Sequence, residues 1–102
     1  FYHGFMAGLL VNIGGYRVKS NRESGNGRPD IVMTESKFRG RAMILELKIS
    51  DTIQGMEKKC EEALTQMKEQ KYESSLEEDG YQPILKYAIC FFKKGCMVKK
   101  AE

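Results

Sequence analysis

The sequence predicts an α/β fold in which a mixed β-sheet is flanked by helices. Two strongly apolar segments, residues 41–49 and 84–92, have the length and composition of strands that are buried on both faces. Between them, residues 53–72 form a long amphipathic segment with helical periodicity. A strand–helix–strand connection of this kind makes the two strands parallel, with a right-handed crossover.

The first part of the chain is predicted to supply one helix and the outer strands of a meander. Residues 1–13 carry apolar side chains at helical spacing, which predicts a helix that is mostly covered by the rest of the domain and ends at the following Gly-Gly pair. Residues 16–22 alternate as a half-exposed strand does, and residues 28–34 form the returning strand. The Asn-Gly pair between them is a strong hairpin signal, because both residues tolerate positive φ.

The remaining elements follow from the same periodicities. An acidic turn over residues 74–80 leads into the second buried strand, and residues 96–100 form a short edge strand. The crossover helix places its apolar side chains three and four residues apart, at Ile53, Met56, Cys60, Ala63, Leu64 and Met67. The predicted order of elements is therefore α-β-β-β-α-β, with one further edge strand.

The composition excludes several classes of protein. With 102 residues, of which 41% are apolar, the chain is too apolar for a disordered tail and large enough for one domain over residues 1–102. No apolar run approaches the ~18–20 residues that span a bilayer. The three cysteines lack the spacing of a zinc site or a disulfide framework, which favours a reduced, cytoplasmic setting. Because the chain starts with Phe1 and not Met, we expect a fragment of a larger protein.

The net charge of +3 is the sum of unlike segments. Residues 15–48 carry eight basic and four acidic side chains, residues 49–80 carry four and nine, and residues 81–102 carry five and one. Two basic segments therefore flank an acidic one. This asymmetry indicates either a basic face for a polyanion or ordinary surface charge.

Two charges in the first buried strand call for an explanation. Side chains alternate faces along a strand, so Glu46 and Lys48 point the same way from a segment that is otherwise built for a core. The preceding strand of the meander carries Asp30 directly after Pro29, and a hairpin pairing brings Asp30 to face Glu46. Two carboxylates and an ammonium then converge on one patch of the sheet. The alternative is a simple surface ion pair on a sheet edge.

A divalent cation would remove the repulsion between two neighbouring buried carboxylates. Mg²⁺ prefers carboxylate and carbonyl oxygens, and the backbone carbonyl of Leu47 is a further candidate ligand. Such a site, with Lys48 beside it, suits the hydrolysis of a phosphodiester. The basic segment offers six side chains for backbone phosphates: Arg17, Lys19, Arg22, Arg28, Arg39 and Arg41.

Pro29-Asp30 followed by Glu46-Leu47-Lys48 resembles the PD-(D/E)xK signature of the restriction-endonuclease-like nuclease superfamily. More narrowly, nearly the whole chain resembles the nuclease-like domain that follows an AAA-ATPase-like domain in many bacterial proteins. The stretches that carry this resemblance are FYHGF, GYRVKSNRESGNGRPDIV, AMILELK, the helix with Ala63-Leu64-x-Gln66-Met67, and GYQPILKYAICFFKKGCMV. The resemblance implies a restriction-endonuclease-like α-β-β-β-α-β core, a C-terminal position in a larger protein, and a phosphodiesterase that depends on Mg²⁺ or Mn²⁺.

Carried over residue by residue, the resemblance makes Asp30 and Glu46 metal ligands and Lys48 the catalytic lysine. Glu23 and Gln66 are further candidates, since Glu23 lies in the family's E-S-G-x-G-R-x-D run and Gln66 resembles a helix glutamine near the metal site. An ion pair within the hairpin explains Glu23 equally well. In the exonuclease-like branch a tyrosine follows that glutamine by four residues, whereas here the tyrosine is Tyr72. Many members also carry an acidic residue in the first helix, and residues 1–22 hold none.

The leading hypothesis is a Mg²⁺-dependent nuclease domain that hydrolyses DNA phosphodiester bonds, with an upstream ATPase-like domain and a homodimer as possible protein partners. The alternative is an inactive nuclease-fold module that binds nucleic acid or protein. The intact set of Asp30, Glu46 and Lys48 favours the enzyme, because a binding module has no need of three costly charges in a core strand.

Overall fold

A computed structural model of the chain describes residues 2–21 and 29–102. The predicted order of helices and strands is confirmed. The elements are α1 (Tyr2–Leu10), β1 (Tyr16–Ser20), β2 (Ile31–Glu35), β3 (Ala42–Ile49), α2 (Met56–Gln70), α3 (Ser74–Glu78), β4 (Ile84–Phe92) and β5 (Gly95–Lys100). Among the described residues, no helix is long and apolar enough to cross a membrane.

The five strands form one mixed sheet in the order β1-β2-β3-β4-β5. β3 and β4 are parallel and joined by α2, as the crossover pattern predicted, and the other neighbouring pairs are antiparallel. The register pairs Ile31 with Leu45 and Glu46 with Ala88. β3 is therefore the central strand, and its side chains face a layer of protein on each side of the sheet.

Each face of the sheet carries its own apolar cluster. Toward α2, Ile44 and Cys60 are fully buried together with Met67 and Cys90. Toward α1, Leu45 and Leu47 pack with Phe91, on which the ring of Tyr2 stacks at 4.2 Å. The alternation of β3 side chains between these clusters fixes the α2 face as the one that Glu46 and Lys48 share.

The prediction that the first helix is mostly covered is wrong. Tyr2, Met6 and Leu10 pack against the sheet, while Phe5 and Leu9 are about half exposed, at 50% and 52%. A single short helix cannot bury all of its sides against one sheet face. The helix also ends at Leu10, before the Gly-Gly pair, and the chain passes through a turn into β1.

Both outer boundaries of the crossover helix differ from the prediction. The loop before α2 is held by local hydrogen bonds, in which the Thr52 N–H donates to Ser50 Oγ at 3.2 Å and the Gly55 N–H donates to Thr52 Oγ1 at 2.9 Å. Such side-chain bonds compete with helix formation, so α2 begins at Met56. At the other end, Lys71 adopts a left-handed φ of 51° and stops the helix at Gln70.

β1 and β2 are antiparallel neighbours, as the predicted hairpin requires. β1 ends at Ser20 and β2 begins at Ile31, and the predicted Asn-Gly turn lies outside the described residues. The pairing extends one step beyond the strands, because the Asn21 N–H donates to the Asp30 carbonyl at 2.7 Å. This contact anchors Asp30 at the start of β2.

Candidate active site

β3 places an acidic side chain in the protein interior. Glu46 lies between Leu45 and Leu47 in the central strand and is only 2% exposed. Its neighbours on the same face are the fully buried Ile44 and the half-buried Lys48. A carboxylate in such surroundings is costly unless something compensates it, which marks this part of the sheet as a functional candidate.

Asp30 and Glu46 are linked through the backbone. The Asp30 N–H donates to Glu46 Oε1 at 3.0 Å, and the Leu47 N–H donates to Asp30 Oδ2 at 2.7 Å. Asp30 is as buried as Glu46, at 2% exposed. Each carboxylate is thus fixed in place by the other strand, and the two acids meet on one patch of the sheet, the α2 face.

The surroundings of Glu46 disfavour its charge. Burial, and next the negative charge of Asp30, raise the pKa of Glu46 to about 7, while the Asp30 N–H and the Lys48 ammonium act in the opposite direction. Two acids held this close in a dry environment repel when both are ionised. A cation placed between them would remove that penalty, which is the reason such pairs bind metals.

A chain of hydrogen bonds leads from Lys48 to α2 and beyond. Lys48 Nζ donates to Gln66 Oε1 at 2.9 Å, and Gln66 Nε2 donates to the Tyr72 hydroxyl at 2.9 Å. The amide of Gln66 is therefore oriented by both neighbours. Since an ammonium has three N–H groups, Lys48 keeps donors for a further ligand while one is held by Gln66.

Sequence reasoning assigned no site role to Tyr72. It is 6% exposed, and burial, followed by the charge of Glu46, raises the pKa of its hydroxyl. In a continuous helix of 3.6 residues per turn, a side chain six positions after Gln66 would point well away from it. The left-handed Lys71 ends the helix and turns the chain back, which brings Tyr72 to Gln66. The spacing of Gln66 and Tyr72 in the sequence does not indicate this contact, because it depends on the left-handed conformation of Lys71 between them.

The donor atoms suit a hard divalent cation. Within residues 2–21 and 29–102, no group of three or more His, Cys, Asp or Glu side chains comes together. Among these described residues, the acidic ligands available to a cation at this site are therefore Asp30 and Glu46. The Leu47 N–H points toward Asp30, and a strand residue's carbonyl points to the same side as its N–H. Continued by two residues, the β2–β3 register would bring Pro29 opposite Leu47. Because proline has no N–H, Pro29 cannot donate a hydrogen bond to the Leu47 carbonyl.

The predicted phosphate contacts divide into two groups. Arg17 and Lys19 in β1 are exposed. Lys19 is paired with Val32, and Val32 is paired with Ile44, whose side chain faces α2. Lys19, and Arg17 two residues before it, therefore lie on the α2 face. Arg39 and Arg41 precede β3, roughly 16 Å of strand away from Glu46. Arg41 is also engaged by Glu35, whose Oε1 accepts its backbone N–H at 2.6 Å and lies 3.4 Å from its Nε.

The structure thus brings Arg17 and Lys19 onto the face of the acidic pair, and it holds Arg39 and Arg41 at the far end of the strand. Arg39 stacks its guanidinium 5.1 Å from the centre of the exposed Phe38 ring. Three other predicted site residues, Glu23, Arg22 and Arg28, lie outside the described residues. The candidate site therefore comprises Asp30, Glu46, Leu47, Lys48, Gln66 and Tyr72.

A model of the PD-(D/E)XK nuclease superfamily matches residues 1–101 of the chain. Nucleases of that superfamily generally use divalent metal ions. The five-stranded mixed sheet flanked by helices is consistent with a restriction-endonuclease-like fold. No curated protein matches the sequence at a significant level.

Proposed function

The chain belongs to the PD-(D/E)XK nuclease superfamily, and from this premise we propose that it is a metal-dependent nuclease that hydrolyses phosphodiester bonds of DNA. The observation that carries the proposal is that the buried side chains of Asp30 and Glu46 lie close together, next to Lys48. Two buried carboxylates, one in the central strand and one at the start of its neighbour, are costly unless they are compensated, as a bound cation would do. Mg²⁺ or Mn²⁺ is the ligand that this donor set suits.

Asp30, Glu46 and the carbonyl of Leu47 would hold the cation. When bound, a divalent cation lowers the pKa of a coordinated water and offsets negative charge that develops on a phosphate. Hard oxygen ligands are what Mg²⁺ and Mn²⁺ prefer, and no sulfur or imidazole ligand is needed. The two carboxylates are already fixed by backbone N–H donors, so little reorganisation accompanies binding.

Lys48 is the residue that faces the phosphate and the attacking water. Its ammonium, oriented by Gln66, would donate to the attacking oxygen or to a non-bridging phosphate oxygen. In the overall step a water oxygen forms a new bond to phosphorus, one ester P–O bond breaks, and the departing oxygen takes up a proton. Lys48 then stabilises the extra negative charge of the five-coordinate phosphorus.

DNA is the proposed substrate, supported by Arg17 and Lys19, which lie exposed on the same sheet face as the acidic pair. Side chains of this kind bind backbone phosphates without reading the sequence. The upstream ATPase-like domain and the homodimer stay predictions that depend on the family resemblance.

The test compares cleavage of supercoiled plasmid in Mn²⁺ by the wild type, Asp30→Asn and Lys48→Ala. We expect each substitution to lower the rate by at least about 100-fold, which is the usual cost of losing a charge-stabilising group. Lys94→Ala, an exposed lysine in the β4–β5 turn, is the matched control and should cleave like the wild type. Equal activity in all variants would contradict the proposal.

A second measurement separates the enzyme from an inactive module. Isothermal titration with Mn²⁺ should show binding to the wild type and to Lys48→Ala, and none to Asp30→Asn, because Asp30 is a proposed ligand and Lys48 is not. Binding of Mn²⁺ without cleavage of plasmid, linear duplex or single-stranded DNA would instead favour a nuclease fold that is kept for binding.

A further inference from the structure

A groove of about 410 Å³ opens beside the candidate site, between β1–β2 on one side and α3 on the other. We call it the Tyr72 groove. Its wall combines one cation, polar side chains, apolar side chains and a tyrosine: Lys19, Asn21, Ser75, Pro29, Val32, Leu76 and Tyr72. A volume of this order suits one small molecule or one nucleotide, and not a duplex.

The groove adjoins the proposed catalytic centre through two of its lining residues, Tyr72 and Pro29. Tyr72 forms part of its wall and accepts the hydrogen bond of Gln66, which in turn holds Lys48. Pro29 immediately precedes Asp30, and the backbone of Asn21 donates to the Asp30 carbonyl at 2.7 Å. A nucleotide that occupied the groove would therefore lie next to the residues that surround the two carboxylates.

The chemistry of the wall fits an unpaired nucleotide. Pro29, Val32 and Leu76 offer an apolar surface for a base, while the exposed Lys19 offers an ammonium to a phosphate. Proteins that hold single strands combine these two features, apolar or aromatic platforms for bases and cations along the backbone. A paired base has its faces stacked in the duplex and could not use such a surface.

The rim of the groove disfavours a second strand. Ser75, in α3, also lines the groove, and Glu78 follows it by three residues, which places the two side chains next to each other on the helix surface. Glu78 and the following Asp79 are both exposed. Their negative charges would repel the phosphates of a complementary strand at this rim.

We propose that the Tyr72 groove binds an unpaired nucleotide of the strand that is cleaved, so that the enzyme prefers single-stranded ends or flaps to continuous duplex. This inference rests on the proposed nuclease function and names the substrate class of the same site. Lys19 and the apolar wall determine the preference, and Tyr72 connects the occupied groove to Lys48.

The test measures binding of a fluorescein-labelled oligothymidine and of a blunt duplex of equal length by fluorescence anisotropy. All proteins carry Lys48→Ala, so that the probe is not cut, and the buffer contains Mn²⁺. We expect the single strand to bind about tenfold more tightly than the duplex, which is the value of one well-packed base.

Two variants locate the preference in the groove. Ser75→Trp fills the groove from an exposed position and should remove the tenfold difference, and Lys19→Ala should weaken binding of the single strand several-fold. Ser74→Trp, the adjacent exposed serine that does not line the groove, is the matched control and should bind like the parent protein. Tighter binding of the duplex, or an unchanged preference in Ser75→Trp, would overturn the inference.

The outcome is distinguishable from failure of the proposed function. If Asp30→Asn abolishes cleavage while Ser75→Trp keeps the preference, the nuclease proposal stands and the groove inference fails. If the wild type neither binds Mn²⁺ nor cleaves DNA, the nuclease proposal fails, and the groove inference, which depends on it, fails with it.

Discussion

Gln66 donates its amide N–H to the hydroxyl of Tyr72 at 2.9 Å, although the two residues are six positions apart and α2 ends between them. The same amide accepts a hydrogen bond from Lys48 through its oxygen. An amide that donates on one side and accepts on the other has a single favourable orientation. Tyr72 therefore acts on Lys48 through Gln66, as a positioning residue.

Removing the Tyr72 hydroxyl should slow cleavage without weakening substrate binding greatly. In Tyr72→Phe the Gln66 amide loses one of its two partners, so we expect kcat for plasmid cleavage to fall about tenfold, the value of roughly 1.4 kcal/mol, with a smaller change in KM. The unfolding free energy should fall by about 1 kcal/mol. Tyr87→Phe, on the opposite face of the sheet, is the control.

A double-mutant cycle tests whether Tyr72 acts through Gln66. The double variant Tyr72→Phe/Gln66→Ala should be little slower than Gln66→Ala alone, because both substitutions break one chain of contacts. If the two substitutions instead lowered kcat by independent factors, so that the double variant showed the product of both losses, Tyr72 would not act through Gln66.

The metal-free protein should lose stability as the pH rises. The pKa of Glu46 is about 7 in the folded chain and 4.5 in the unfolded chain, so the folded state binds more protons between these values. The stabilising effect of the protonated form is complete below 4.5 and is lost as the pH rises through about 7. The loss corresponds to about 2.5 kcal/mol, so we expect Tm in EDTA to fall by roughly 10 °C or more between about pH 5 and about pH 8.

Glu46→Gln should abolish most of that slope, because the amide has no proton to lose. Thermal unfolding followed by circular dichroism across the pH series measures both proteins. A wild-type slope that survives in Glu46→Gln would assign the pH dependence to other groups.

Mn²⁺ should reverse the loss of stability at neutral pH. A ligand that binds only the folded state stabilises it by about 2.7 kcal/mol at a concentration 100 times its Kd. We expect Tm of the wild type to rise in saturating Mn²⁺ and to return after EDTA is added. Asp30→Asn should show no such rise, and an equal rise in that variant would place the ion elsewhere.

The half-covered first helix predicts a contrast between two adjacent leucines. Leu10 packs against the sheet, whereas Leu9 is 52% exposed. Leu10→Ala should lower the free energy of unfolding by about 2 kcal/mol, and Leu9→Ala by no more than about 0.5 kcal/mol. Urea denaturation measures both, and equal losses would mean that the outer side of α1 is also covered in solution.

The stretches that sequence reasoning predicted well are those with a strong periodic pattern. β3 and β4 could be predicted because their apolar runs have the length and composition of buried strands. α2 could be predicted because its apolar positions recur at helical spacing. The face shared by Glu46 and Lys48 followed from strand alternation alone. The roles of Asp30, Glu46 and Lys48 stay predictions until the variants above are measured.

Other features depend on tertiary context. The exposure of Phe5 and Leu9 depends on how much of the sheet a short helix can cover, which α1's own sequence does not encode. The engagement of Arg41 by Glu35 depends on the pairing of β2 with β3, which brings the two residues together. Tyr72 was missed because its place depends on the conformation of one residue, Lys71, and lysine carries no local signal for a left-handed φ.

The left-handed Lys71 has a consequence for how related sites are recognised. Here the tyrosine reaches the glutamine across a helix terminus and not along a helix turn, so a search pattern written as glutamine, three residues, tyrosine would pass over this chain. The same hydroxyl can be delivered to the same amide from a different sequence distance, provided that the helix stops in time. For this site the spatial arrangement of side chains is a better definition than the spacing of letters.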